Sequence, residues 1–125
     1  MNAIETAGTV ILCTAMDVEY QAVRELFHGP TTQDYERGTR YEIGRHSGCG
    51  GEWTTVLVLI ERDNTPAAVQ VERAIAKFRP QLVLLVGVAG GRRDSRLGDV
   101  IAATQIYHYE SGLDTDEAYL PRIKT

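Results

Sequence analysis

The sequence predicts an α/β domain, and three stretches carry that reading. Residues 81–86, QLVLLV, are a short unbroken apolar run between Pro80 and the glycines Gly87, Gly90 and Gly91, the pattern of a strand buried on both faces. Residues 9–13, TVILC, are a second such run, and they pass straight into a helical pattern. Between the two, residues 31–60 alternate polar and apolar side chains, as antiparallel strands with one wet face do. Parallel strands joined through a helix, with an antiparallel hairpin or meander beside them, make a mixed sheet.

Taken in order, residues 1–8 read as a loose leader to the strand at 9–13. Thr14, with Asp17 three residues later, resembles a capping box and starts a helix. That helix carries Val18, Ala22 and Leu26 on one stripe with Val23 and Phe27 beside it, and Gly29 and Pro30 stop it. Tyr41 and Ile43 alternate with Arg40, Glu42 and Arg45 on a strand that turns at Gly48, Cys49, Gly50 and Gly51, and residues 53–60 return. Asn64 or Thr65 then caps a second helix, with Pro66 at its first position and Ala67, Val71, Ala74, Ile75 and Phe78 on its buried face. The unit of residues 53–88 is a parallel, right-handed βαβ. After the small-residue stretch 87–91, Gly98 and Asp99 signal a turn and residues 100–109 a further strand. Residues 111–125 are polar, turn-rich and loop-like.

A chain of 125 residues supports one domain with a real core and not two, so residues 1–125 are expected to form a single domain. The net charge of −4 argues against nucleic acid or an anionic membrane as the main partner. No apolar stretch has the length of a membrane span, and two cysteines, Cys13 and Cys49, supply no disulfide framework, which points to a cytoplasmic protein. His28, His46 and His108 have no partners at metal-ligand spacing, and no metal or cofactor is expected.

Helix following strand without insertion places Ala15, Met16 and Glu19 at the carboxyl end of the first strand, where open α/β sheets bind ligands. Glu19 has two readings: a first-turn acid that stabilises the helix dipole, or an ionised carboxylate that accepts a proton. The bare backbone of Gly87, Val88, Ala89, Gly90 and Gly91 lets a flat ligand approach closely, or else makes a tight turn between core strands. Arg92, Arg93 and Arg96 are a solvated loop or a meeting point for phosphate. A dinucleotide fold would need G-x-G-x-x-G at the first strand–helix turn, and residues 14–19 contain no glycine.

Several pieces together resemble the purine nucleoside phosphorylase superfamily, and within it the methylthioadenosine/S-adenosylhomocysteine nucleosidases. They are TAMDVE at 14–19, NTPAA at 64–68, and GVAGG at 87–91 followed by LGDV at 97–100. The resemblance implies a three-layer α/β fold with a central mixed sheet flanked by helices. It implies cleavage of the N-glycosidic bond of a purine nucleoside or nucleotide, and pairing of subunits into a homo-oligomer. Glu19 is similar to the family's water-positioning carboxylate; Ala15 and Met16 would lie beside the substrate, and Val88, Ala89 and Gly90 resemble the loop along sugar and base. The phosphorylase branch builds a phosphate site from a Gly-rich, Arg-containing first loop, whereas here no arginine precedes Arg24, so water is the expected nucleophile. The family's later residues, which hold the ribose hydroxyls and protonate the purine, have no match after Glu110. The chain thus resembles the front half of an active site with the C-terminal part of the fold absent, and 1–125 alone is expected to be inactive and to expose apolar surface. The alternatives are an inactive purine-binding or assembly module and a phosphate-dependent phosphorylase. Glu19 itself is expected to matter for turnover and hardly for stability.

Overall fold

A computed structural model describes residues 6–48, 50–106, 112–114 and 119–121. The chain divides into two compact units, Met1–Gly90 and Gly91–Thr125. The first holds β1 (Thr6–Thr14), α1 (Asp17–Arg24), β2 (His28–Glu36), β3 (Thr39–Gly48), β4 (Gly51–Leu59), α2 (Asn64–Phe78) and β5 (Leu82–Leu85). Its five strands form one mixed sheet in the order β2-β3-β4-β1-β5. β2, β3 and β4 are the expected antiparallel meander, while β4 and β5 both run parallel to β1.

Each strand sends alternate side chains to opposite faces, and a helix covers each face. Ile11, Cys13, Tyr41, Val56 and Val58 point to the side of α2, where Ala74 is buried and Ala67, Val71 and Phe78 pack against the cluster. The Tyr41 and Phe78 rings meet edge-on at 5.0 Å. Burial pushes the Cys13 thiol up to about 11, so it stays protonated. α1 lies on the other face and is held mainly over β4 and β1. Helix, mixed sheet and helix make the three-layer α/β arrangement expected of the sequence.

Several boundaries differ from expectation. β1 takes in Thr6, Ala7 and Gly8, which had been assigned to the leader; residues 1–5 lie outside the described residues. Gly8 is a bulge at φ +143°, and a Cβ there would meet the Gln81 side-chain oxygen at 2.7 Å. That oxygen accepts from Thr9 N–H at 2.6 Å, so a side chain extends the β1–β5 ladder by one bond. Thr14 is the last residue of β1 and not a cap, because Ile60 N–H donates to its carbonyl at 2.7 Å and keeps it in the ladder. α1 starts after Met16 and ends at Arg24, before the predicted stop; Val18 is on its outer face and Leu26 lies beyond its end, and they are 64% and 63% exposed. Its buried residues are Glu19 and Tyr20, a face that an apolar-stripe reading passes over. α2 begins at Asn64, two residues before Pro66, with Asp63 in the N-cap position but making no side-chain cap bond, and ends where Arg79 turns left-handed before Pro80.

The largest correction concerns residues 81–86. Among the described residues β5 pairs with β1 alone, at the edge of the sheet, and Leu82, Val83, Leu84 and Leu85 are 36–73% exposed. An apolar run records what a strand can bury and not whether a partner lies beside it. The apolar exposure anticipated for this chain includes β5 and is larger still at Leu97, Val100 and Ile106 in the second unit.

In the second unit, Gly98 and Asp99 form the expected turn, closed by Asp99 N–H to the Arg96 carbonyl. Residues 100–106, predicted as strand, are irregular: they have no ladder partner among the described residues, and β-propensity without pairing does not make a strand. His108 and the rest of that predicted strand lie outside the described residues. Within the predicted loop-like end, Gly112–Asp114 (β6) and Tyr119–Pro121 (β7) pair antiparallel. No helix among the described residues is long and apolar enough to cross a membrane.

Candidate active site at the carboxyl ends of β1 and β5

β1 and β5 run side by side and end together, with Val86 N–H still bonded to the Cys13 carbonyl at 2.9 Å. Two bare segments leave this edge of the sheet: Ala15 and Met16 from β1, and Gly87 and Val88 from β5. One side chain collects the backbone N–H groups of Ala15, Met16 and Val88. Glu19 Oε1 accepts from Ala15 N–H at 3.1 Å and from Met16 N–H at 2.9 Å, and Oε2 accepts from Val88 N–H at 2.7 Å. Glu19 is the third residue of α1, so the Met16 bond is the reciprocal half of a capping box. The Val88 bond spans 69 residues of sequence.

The carboxylate is 9% exposed and holds its charge. The Val88 N–H lowers its pKa most; burial opposes this, and the Ala15 and Met16 N–H groups and the Arg62 charge lower it further. A carboxylate has about four in-plane lone-pair positions. Among the described residues Oε1 has both of its positions filled, and Oε2 has one filled and one open. An ionised carboxylate with one open acceptor position can orient a single further donor, such as a water.

Among the residues singled out in the sequence, the structure brings Glu19, Ala15, Met16 and Val88 together. Ala89 and Gly90 continue the same loop and are exposed; Gly90 has open space where a Cβ would stand. The three bonds also give Glu19 a share in stability beyond that of a first-turn acid, since it ties the start of α1 to the end of β5.

Sequence reasoning missed a second buried carboxylate. Glu42 on β3, read as part of a wet face, is 0% exposed beneath α1. It accepts from Tyr20 Oη at 2.7 Å, Arg24 Nε at 2.7 Å and Thr31 Oγ1 at 2.8 Å. Burial pushes its carboxyl up, but these three donors outweigh burial and leave it below the ordinary value. Burial, aided by the Glu42 bond, pushes the Tyr20 hydroxyl up to about 12. The available signal was Tyr20 and Arg24 at helical i, i+4 spacing, two polar-ended side chains on one face of α1.

An apolar cavity of ≈ 400 Å³ opens on the α1 side, lined by Val10, Leu12, Phe27, Trp53, Leu82 and Leu84 among others, and includes no residue of the Glu19 cluster. It lies where the eight-residue α1 is too short to cover the sheet face. No group of three or more metal-ligating side chains occurs among the described residues.

Residues 9–124 match the Phosphorylase superfamily. The chain belongs to this family. Within the Phosphorylase superfamily it is 29% identical over 109 residues to the ATP nucleosidase Cap17 of Escherichia coli, a match covering 82% of this chain and 21% of that protein. The 5′-methylthioadenosine/S-adenosylhomocysteine nucleosidase of Neisseria meningitidis, solved with methylthio-immucillin-A, superimposes with a TM-score of 0.61 at 26% identity, over 73% of this chain and 38% of that one. The S-adenosylhomocysteine nucleosidase of Streptococcus pyogenes, solved with 5-methylthiotubericidin, gives 0.66 at 18% identity, over 78% of this chain and 39% of that one, and so shares the fold. The chain thus spans about a fifth of the length of that curated relative and less than two fifths of these two structures.

Proposed function

We propose that the protein to which this chain belongs is an N-ribosyl hydrolase that cleaves the glycosidic bond of a purine nucleoside or nucleotide. Glu19 is its water-positioning carboxylate, and Ala15, Met16, Val88, Ala89 and Gly90 border the substrate. The observation that carries the reading is the Glu19 carboxylate held by three backbone N–H groups where β1 and β5 end, with one acceptor position left on Oε2. As the leaving group departs, the sugar becomes oxocarbenium-like, and a fixed negative charge stabilises it while aligning the attacking water. Family membership supports the reaction class, and the nucleosidase relatives support a purine nucleoside or nucleotide as substrate.

Water is favoured over phosphate by the fate of Arg24. It is the first arginine after β1, and its Nε is committed to Glu42 at 2.7 Å rather than turned to the Glu19 cluster. The continuous family match over residues 9–124 supports treating the two units as parts of one domain. Two cysteines without a disulfide framework support a cytoplasmic setting, and the apolar strip along β5 supports association with further protein surface, a partner subunit included.

The test uses the full-length polypeptide with methylthioadenosine, adenosine and ATP. Release of free purine at the same rate with and without phosphate is expected. Release that requires phosphate and yields a ribose 1-phosphate would overturn the hydrolase assignment, and binding without release would leave a ligand-binding module.

A further inference from the structure

Gly87 is the first residue past the β5 ladder bond from Val86, and its φ is not in the left-handed region, so backbone conformation alone does not call for glycine there. What calls for it is Glu19. A Cβ at position 87 would stand 2.5 Å from Glu19 Oε2, 3.1 Å from Cδ and 3.3 Å from Oε1, and these are the three nearest atoms. A contact of 2.5 Å is closer than carbon and oxygen approach without a bond, so either the carboxylate or the loop would have to move. The carboxylate has little freedom, because Oε1 is fastened to two N–H groups of the chain that leads into α1. The contact to be lost is the one on Oε2, with Val88 N–H.

We infer that Gly87 is a positioning residue for Glu19: its missing side chain lets Oε2 reach Val88 N–H, and that contact fixes where the last open acceptor position of the carboxylate points. The catalytic meaning of this placement rests on the hydrolase reading above, but the placement itself is testable without turnover. The Arg62 charge also acts on the Glu19 carboxyl, and it is untouched by the substitution.

The experiment is a double-mutant cycle in the full-length polypeptide, with Gly87→Ala, Glu19→Ala and their combination, read by denaturant midpoint. Gly87→Ala lowers the midpoint in the native background and leaves it unchanged or raised in the Glu19→Ala background, where the crowding atoms are gone. An equal drop in both backgrounds overturns the inference. Should Gly87→Ala alone fail to fold, recovery of a folded protein in the double variant supports it, and an unfolded double variant overturns it. In folded Gly87→Ala, carboxyl NMR shows Glu19 titrating higher than in the native protein; an unmoved titration overturns the inference. A Glu19→Gln enzyme that keeps full turnover while the cycle shows coupling would remove the hydrolase role of Glu19 and leave the steric placement intact.

Discussion

Glu19 on α1 and Glu42 beneath it are both buried carboxylates, and each accepts three hydrogen bonds, yet their donors differ in kind. Every bond to Glu19 comes from the backbone, at Ala15, Met16 and Val88. Every bond to Glu42 comes from a side chain, at Tyr20, Arg24 and Thr31. Backbone donors are placed by the sheet and the helix start, so the position of Glu19 follows from the ends of β1 and β5. Side-chain donors must each be ordered, and what they secure is the seating of α1 on β3 and β2. Glu42 therefore acts as a structural clamp: its Oε2 also has one acceptor position to spare, but the residue is 0% exposed under α1. Glu19 stands instead at the carboxyl ends of β1 and β5, where the proposed hydrolase reading sets the substrate water. The clamp also serves the site, because Tyr20 follows Glu19 directly on α1.

The largest expected effect that separates the two is on rate. In the full-length polypeptide Glu19→Gln should lower kcat by about a hundredfold to ten-thousandfold, the range of general acid–base contributions. Steady-state assay of purine release checks this, and an unchanged kcat would erase the functional half of the contrast. The same substitution should cost about 1–2 kcal/mol of stability, since an amide nitrogen cannot accept one of the three N–H bonds.

Glu42→Ala should be the more damaging to stability, by about 3 kcal/mol, because it leaves the buried Tyr20 hydroxyl without its acceptor and removes the counter-charge of Arg24. Arg24 is half exposed and stays hydrated, which keeps the loss from being larger. Urea unfolding measures it, and a loss below that of Glu19→Gln would reverse the ranking. Tyr20→Phe removes one donor and keeps the ring, so about 1 kcal/mol should be lost.

The smallest effect is on pH dependence, where the two carboxylates should behave alike. Both are held below the ordinary value of 4.5, so each binds protons more weakly folded than unfolded. Their stabilisation is fully present above about pH 4.5 and is lost as pH falls through the folded-state values. Denaturant midpoints should be flat from pH 7 to about 5.5 and fall below 4.5, and the fall should be shallower in Glu42→Gln. A midpoint that rises on acidification would contradict both pKa directions.

The sequence by itself determined the elements whose signals are local. Pro80 and the glycines bounded a strand at 81–86, Asn64 to Pro66 announced a helix, and alternation from 31 to 60 announced the meander that became β2, β3 and β4. Glu19 at the strand–helix junction was legible for the same reason, because chain connectivity alone sets it at the end of β1. Partners were not legible, since they depend on what arrives from elsewhere in the chain. β5 has an interior strand's composition and an edge strand's exposure, because only pairing decides how much of an apolar run is covered. Residues 100–106 have strand-like composition but no ladder partner among the described residues. Glu42 sits at a position that alternation assigns to solvent, and the docking of α1 over it replaced water by three side-chain donors. Only the tertiary structure brought Val88 to Glu19 across 69 residues and so turned a helix-capping acid into an oriented carboxylate. A periodic pattern states which surface can be buried; the opposing surface, and with it the charge and geometry of a buried acid, is supplied by distant chain.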